Sequence, residues 1–215
     1  MSQTVFATDK TPETVTLAIT GASGVQYAIR LLEQLLHAGV RVNLLISKAA
    51  HLVIATETDL NMPAKAPAVE AFFLKRFSTA EAQIDEDLIS VYETNNWMAP
   101  IASGSGRSSA MVVCPCTTGT LSSIAMGACE NLIDRAADVT LKEQRKLILM
   151  VRETPFSVIQ LENMLKLAKM GVVVMPANPG FYFQPTTVEE IVDFMVARVL
   201  DHLDIEHKLM PKWGE

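Results

Sequence analysis

Apolar positions along the chain fall into short solid runs separated by amphipathic stretches. Residues 15–20, 40–47, 110–114, 146–152 and 172–176 are dense in Val, Ile, Leu and other β-branched or apolar residues, the pattern of strands buried on both faces. Between or after them, at 24–38, 48–56, 69–77, 118–127, 131–144, 157–170 and 187–203, the sequence reads as helix. The first and sixth of these stretches stop at Gly39 and Gly171, as helices commonly do. The last carries Val188, Ile191, Val192, Met195, Val199 and Leu203 on one stripe. This alternation predicts a parallel sheet with helices on both faces, a single Rossmann-like α/β domain over residues 14–215 behind a flexible segment 1–13. Two stretches interrupt the pattern. Residues 61–67 read as a proline-marked turn, and 92–109 read as a long loop, apolar in front and Gly/Ser-rich behind, suited to covering a ligand.

Ligands of such sheets bind beyond the carboxyl ends of the strands, so those ends hold the candidate chemistry. The first run breaks into Thr20-Gly21-Ala22-Ser23-Gly24, a tight turn into a helix whose unpaired N–H groups and positive dipole end attract an anion, most often a phosphate. A tight βα turn without a ligand is the competing reading, but the Ser23 hydroxyl stands where a phosphate or reacting group would be held. The third glycine of a dinucleotide fingerprint is missing, and no Walker-type Lys-Ser/Thr follows. Later strands end in Ser47-Lys48, in Pro115-Cys116-Thr117-Thr118-Gly119-Thr120, in Arg152-Glu153, and in Pro176-Ala177-Asn178-Pro179-Gly180-Phe181-Tyr182. A second hydroxyl-rich helix start beside an arginine strengthens the case for a phosphate site. Ser47-Lys48 replaces the acidic residue that binds the ribose of NAD, which leaves NADP or a mononucleotide such as FMN, and the missing glycine favours the mononucleotide.

Composition narrows the picture further. Hydrophobic residues make up 49% of the 215 positions and charged residues 20%, and no apolar run approaches the ~20 residues of a bilayer span. The apolar excess points to subunit contact and a homo-oligomer. A net charge of −6 argues against nucleic acid as a partner, and a polar N-terminus without a signal core points to the cytoplasm. Cys114, Cys116 and Cys129 read as buried free thiols, and His37, His51, His202 and His207 have no ligand spacing, so no metal site is expected. Arg135 and Lys142, seven apart on one helix face, and Arg198 are either surface charges paired with nearby acids or a phosphate-holding set; Arg152, at a strand end, favours function. Glu57 is either a solvated helix end or a proton carrier, and Trp97, Tyr182 and Trp213 are packing residues by default.

Taken in order, Thr20-Gly21-Ala22-Ser23-Gly24, Ser47-Lys48-Ala49-Ala50, Glu57-Thr58-Asp59, Cys114-Pro115-Cys116-Thr117-Thr118-Gly119-Thr120-Leu121, Arg135-Ala136-Ala137-Asp138-Val139, Leu141-Lys142-Glu143, Arg152-Glu153-Thr154-Pro155, Pro179-Gly180-Phe181-Tyr182 and Pro211-Lys212-Trp213-Gly214 resemble the UbiX-type flavin prenyltransferases over nearly the whole chain. The resemblance implies a metal-independent reaction in which a dimethylallyl group passes from dimethylallyl phosphate to N5 and then C6 of reduced FMN, giving prenylated FMN for a UbiD-type decarboxylase. It further implies that Gly21, Ala22, Ser23, Ser47, Thr117, Thr118, Gly119, Thr120 and Arg152 contact FMN. Arg135, Lys142, Glu153, Tyr182 and Arg198 would hold the prenyl phosphate, with Trp213 closing the site and Trp97 walling the prenyl group. Ser23 and Glu57 would move protons, and the enzyme would assemble as a homododecamer with sites at subunit junctions. A flavin-dependent cysteine decarboxylase, a flavin carrier without a second substrate, and an NADP reductase remain as competing readings.

Overall fold

The computed structural model describes residues 13–80, 82–106 and 108–211. Six strands form one wholly parallel sheet in the order β3-β2-β1-β4-β5-β6. They are β1 (Thr14–Ile19), β2 (Arg41–Ile46), β3 (Ile89–Tyr92), β4 (Ala110–Cys116), β5 (Lys146–Val151) and β6 (Val173–Pro176). The helices are α1 (Val25–His37), α2 (Lys48–Glu57), α3 (Ala66–Phe77), α4 (Thr118–Met126), α5 (Leu132–Lys142), α6 (Val158–Lys169) and α7 (Val188–His202).

Side chains alternate across each strand, so the sheet feeds two apolar layers. Val15, Leu17 and Ile19 of β1, with Val42 and Leu44 of β2 and Val112 of β4, pack against α1, α3 and α7. Ala18, Leu45, Met111, Val113 and Leu149 face α4, α5 and Leu167 of α6. Helix α1 presents Leu31, Leu32, Leu35 and Leu36 to the first layer, and its Arg30 clamps Asp193 of α7 through Nε and Nη2 at 2.7 and 3.1 Å. Helix α2 buries only Ala50 and Ile54. It spans the β1–α1 connection instead, since its cap Ser47 donates its N–H to the Ile19 carbonyl while Glu57, its last residue, reaches Gly24.

Three expectations change. A strand, β3, occupies 89–92, where no strand was expected. Its Ile-Ser-Val-Tyr alternation is only four residues long, and it stands at the sheet edge, where one face suffices for burial. Helix α3 starts at Ala66 rather than 69, with Pro67 in its first turn, where the missing proline N–H costs nothing. Strand β4 continues through Pro115 to Cys116, with a register shift between Val113 and Cys116. The segment after β3 remains a long connection and contains a short 3₁₀ turn at Pro100–Ala102. It is pinned to α5 and the turn after it: Arg135 Nε donates to the Ala102 carbonyl at 3.0 Å, Arg145 Nη2 to the Gly104 carbonyl at 2.6 Å, and the Leu132 N–H to the Thr94 carbonyl at 2.8 Å. Cys114 and Cys116 are buried free thiols as expected, whereas Cys129 is exposed. No helix among the described residues is long and apolar enough to cross a membrane.

Phe73 anchors the α3 side of the first layer, fully buried, edge-on to Phe72 at 5.3 Å and stacked on Phe77 at 5.5 Å. Phe73→Ala is expected to cost about 3–5 kcal/mol, read as a lower urea midpoint with an unchanged slope.

Candidate functional site

In a parallel sheet every strand delivers its carboxyl end, and the unpaired N–H groups of the following helix, to the same edge. Here three helix starts meet at that edge around β1, where the chain order reverses between β1 and β4.

At α1, the sequence called for an external anion, and the structure supplies an internal one. Gly24 turns with φ at 98°, and the Glu57 Oε2 accepts the N–H groups of Gly24 at 2.9 Å and Val25 at 3.3 Å. Partial burial by itself would raise the Glu57 pKa, but hydrogen bonds from Ser23, Gly24 and Val25, with the charge of Arg152, outweigh it and hold the carboxyl below the ordinary glutamate value. Gln26, whose Nε2 donates to the Glu57 carbonyl at 3.1 Å, ties the two helices from the other side. The carboxylate thus takes two of the N–H donors to which the sequence assigned a phosphate. Gly21 is required for a different reason: a Cβ at that position would collide with Ala49 of α2.

The other two starts are capped by their own hydroxyls and keep donors in reserve. The Ser47 Oγ accepts the Ala50 N–H at 3.0 Å, and the Thr117 Oγ1 accepts the Thr120 N–H at 3.1 Å while bonded to the Thr120 Oγ1 at 2.9 Å. Among the described residues, the N–H groups of Thr118 and Gly119 have no acceptor within the chain. A Cβ on Gly119 would touch only the Thr117 hydroxyl, at 3.8 Å, so the approach to these amides is open. Arg152 follows β5 and donates its backbone N–H to the Cys116 carbonyl at 3.2 Å. Its side-chain Nε is buried without a hydrogen-bond partner. A buried guanidinium nitrogen at the end of β5 and two spare amides after the neighbouring strand β4 are a donor set that suits a phosphate-bearing ligand. The Ala177 N–H bonds to the Val151 carbonyl at 3.0 Å, which brings the 177–187 segment to the same edge; the Tyr182 ring in that segment lies 6.3 Å from those of Phe183 and Phe194.

The structure thus gathers Gly21, Ala22, Ser23, Ser47, Glu57, Thr117, Thr118, Gly119, Thr120 and Arg152, with Glu153 next in the chain, while Tyr182 stands by Phe194 of α7. It does not gather the remaining cations within one subunit. Lys142 ends α5 shortly before Lys146 opens β5, at the amino-terminal edge of the sheet, and pairs with Glu143. Arg135 bonds to Ala102 and, at 2.7 Å, to Asp138. Arg198 pairs with Asp201 at 2.6 Å and lines a groove of about 330 Å³ along the outer strand β6, with Asn178 and His202. Trp97 is about half exposed, on the connection after β3. Trp213 lies outside the described residues. Sequence reasoning passed over Gln26 and the buried Thr20; the one available signal for Thr20 was a hydroxyl at the last position of an otherwise apolar run.

A family model described as Flavoprotein matches residues 5–200. The chain is 57% identical to the flavin prenyltransferase UbiX of Pseudomonas aeruginosa over 204 residues, covering 95% of each chain. Among solved structures it is similar to AnUbiX (PadA1) in complex with FMN and dimethylallyl pyrophosphate, with a TM-score of 0.82 and 36% identity over 94% of this chain and 98% of that one. It is also similar to a dodecameric FMN-dependent UbiX-like decarboxylase from Escherichia coli O157:H7, with a TM-score of 0.79 and 39% identity over 94% and 100%.

The sign of the Glu57 shift sets a pH dependence. A carboxyl held below its unfolded value contributes stability above that value and loses it as pH falls through the folded one. Glu57→Gln should therefore lose less stability than wild type on acidification from about pH 6 to about pH 3, measured by denaturant titration at each pH; equal losses would show that the carboxylate is not held in this way.

Proposed function

The chain belongs to the Flavoprotein family and, within it, to the flavin prenyltransferases, and we propose that it joins a dimethylallyl group from dimethylallyl phosphate to N5 and C6 of reduced FMN. The product, prenylated FMN, would serve a UbiD-type decarboxylase. The observation that carries this reading is the Arg152 Nε, buried and unpartnered at the end of β5, the strand next to the one whose helix opens with the free amides of Thr118 and Gly119. That set fits the phosphate of a flavin mononucleotide at the start of α4, with Gly21, Ala22, Ser23 and Ser47 lining the cofactor and Thr117 and Thr120 supplying hydroxyls.

FMN supplies the nucleophilic ring positions; the residues supply placement and proton traffic. Glu57, kept ionised by its donors, accepts protons, and Ser23, in the turn that Glu57 holds, relays them between the reacting nitrogen or the departing phosphate and the carboxylate. As the allylic carbon–oxygen bond breaks and the carbon–nitrogen bond forms, negative charge gathers on the phosphate, and cations stabilise it there. Arg135, Lys142, Glu153, Tyr182 and Arg198 are assigned to that phosphate, Trp97 to an apolar wall that keeps water from the developing allyl cation, and Trp213 to closing the site.

Lys142 lies at the opposite edge of its own sheet from Ser23. We place the complete site at a subunit junction, where a neighbouring copy contributes Lys142 and Arg135. The dodecameric relative from Escherichia coli supports an assembly of this kind. So do the side chains left exposed here: Leu52, Trp97 and Met98, and Val158, Ile159, Leu161 and Leu165 along α6.

Incubation of the protein with reduced FMN and dimethylallyl phosphate should yield a flavin heavier by one C5H8 unit by mass spectrometry. Unmodified FMN recovered from folded, FMN-bound protein would return the decarboxylase or carrier reading. For the junction, Ser23→Ala and Lys142→Ala are each expected to be inactive alone, and co-assembled subunits to regain part of the activity. No recovery in mixed oligomers would place Lys142 in its own subunit's site or outside the reaction.

A further inference from the structure

Thr20 is 2% exposed and closes the apolar run of β1 with a hydroxyl that the reaction does not use. Its Oγ1 donates to the Pro115 carbonyl at 2.7 Å and accepts the Thr117 N–H at 2.9 Å. Its backbone N–H also points to the Pro115 carbonyl, at 3.3 Å. The need for this clasp lies in β4. Regular pairing of β1 with β4 is complete at Ala18 and Val113, and β4 shifts register between Val113 and Cys116 on its other side. Beyond that point the Pro115 carbonyl needs a donor and the Thr117 N–H an acceptor from elsewhere, and buried backbone groups left unpaired are costly. One hydroxyl, able to donate and accept at once, satisfies both.

We infer that Thr20 is a positioning residue for the phosphate-binding start of α4: by holding the Pro115–Thr117 segment against β1, it sets where the open N–H groups of Thr118 and Gly119 stand. The clasp also decides which amides serve a ligand. It occupies the Thr117 N–H, the Thr117 hydroxyl occupies the Thr120 N–H, and the two amides between them remain for the anion. This inference rests on the reading that the FMN phosphate is seated there. The same strand end leads directly into Gly21 and Ser23, so one residue joins the phosphate cradle to the proton-carrying loop.

A structural role alone would lower stability and weaken every ligand alike. A positioning role acts on the phosphate only, and riboflavin, which is FMN without its phosphate, separates the two. Thr20→Val keeps the shape and removes both hydrogen bonds; Thr20→Ser keeps the hydroxyl. By flavin fluorescence quenching, Thr20→Val should bind FMN about tenfold or more weakly, with riboflavin affinity unchanged, and Thr20→Ser should return FMN affinity towards wild type. Where Thr20→Val does not fold, Thr20→Ala makes the same comparison. FMN and riboflavin affinities that fall together, an unchanged FMN affinity, or a Thr20→Ser variant as weak as Thr20→Val would overturn the inference. Wild-type protein that binds neither flavin would instead remove the flavin reading, and this role with it.

Discussion

Parallel pairing brings the carboxyl ends of all six strands to one edge, and with them the N–H groups that open each helix and have no partner inside it. The chemistry of the site depends on how each start is satisfied. Helix α1 takes a carboxylate from the far end of α2, while α2 and α4 take the Ser47 and Thr117 hydroxyls and keep amides in reserve. Similar ends of structure thus acquire two different characters: a fixed negative charge at α1, and hydroxyl-capped starts with spare N–H donors at α2 and α4.

Glu57 has two consequences from one placement. Its charge offsets the dipole end of α1, which fixes the glycine turn that carries Ser23. The same donors keep the carboxyl ionised, so the group nearest Ser23 is a base rather than an acid at neutral pH. Arg152 adds to the second effect through its charge and, through its unpartnered Nε, faces the need for a ligand. Stability of the turn and the ionised state of the carboxyl come from the same contacts.

The apolar surplus of the chain has a related logic. The two internal layers are filled by α1, α3 and α7 on one side and α4, α5 and α6 on the other, yet α6 buries only Leu167 and leaves Val158, Ile159, Leu161 and Leu165 exposed. A short sheet with a site open at its edge has no spare element of its own to cover that edge. Contact with further copies would bury these side chains and bring cations from outside the subunit.

Much of this was legible in the residues. Five of the six described strands and the seven helices follow from solid apolar runs and helical periodicity, and the glycine turn, the hydroxyl-rich start at Thr117 and the arginine at a strand end mark the functional edge. These are local properties, carried by neighbours in sequence. Strand β3 was not legible, because four alternating residues beside acidic ones gain their meaning from the edge of β2. Nor was the partner of α1: an open helix start reads as a phosphate site until a carboxylate 33 positions away is folded onto it. Thr20 looked like the end of a strand until the register shift of β4 left two backbone groups for it to satisfy. Residues near one another in sequence settle most of the elements and the edge at which the chemistry gathers; which donors stay free is settled only in the folded chain, because that depends on contacts between segments far apart in it.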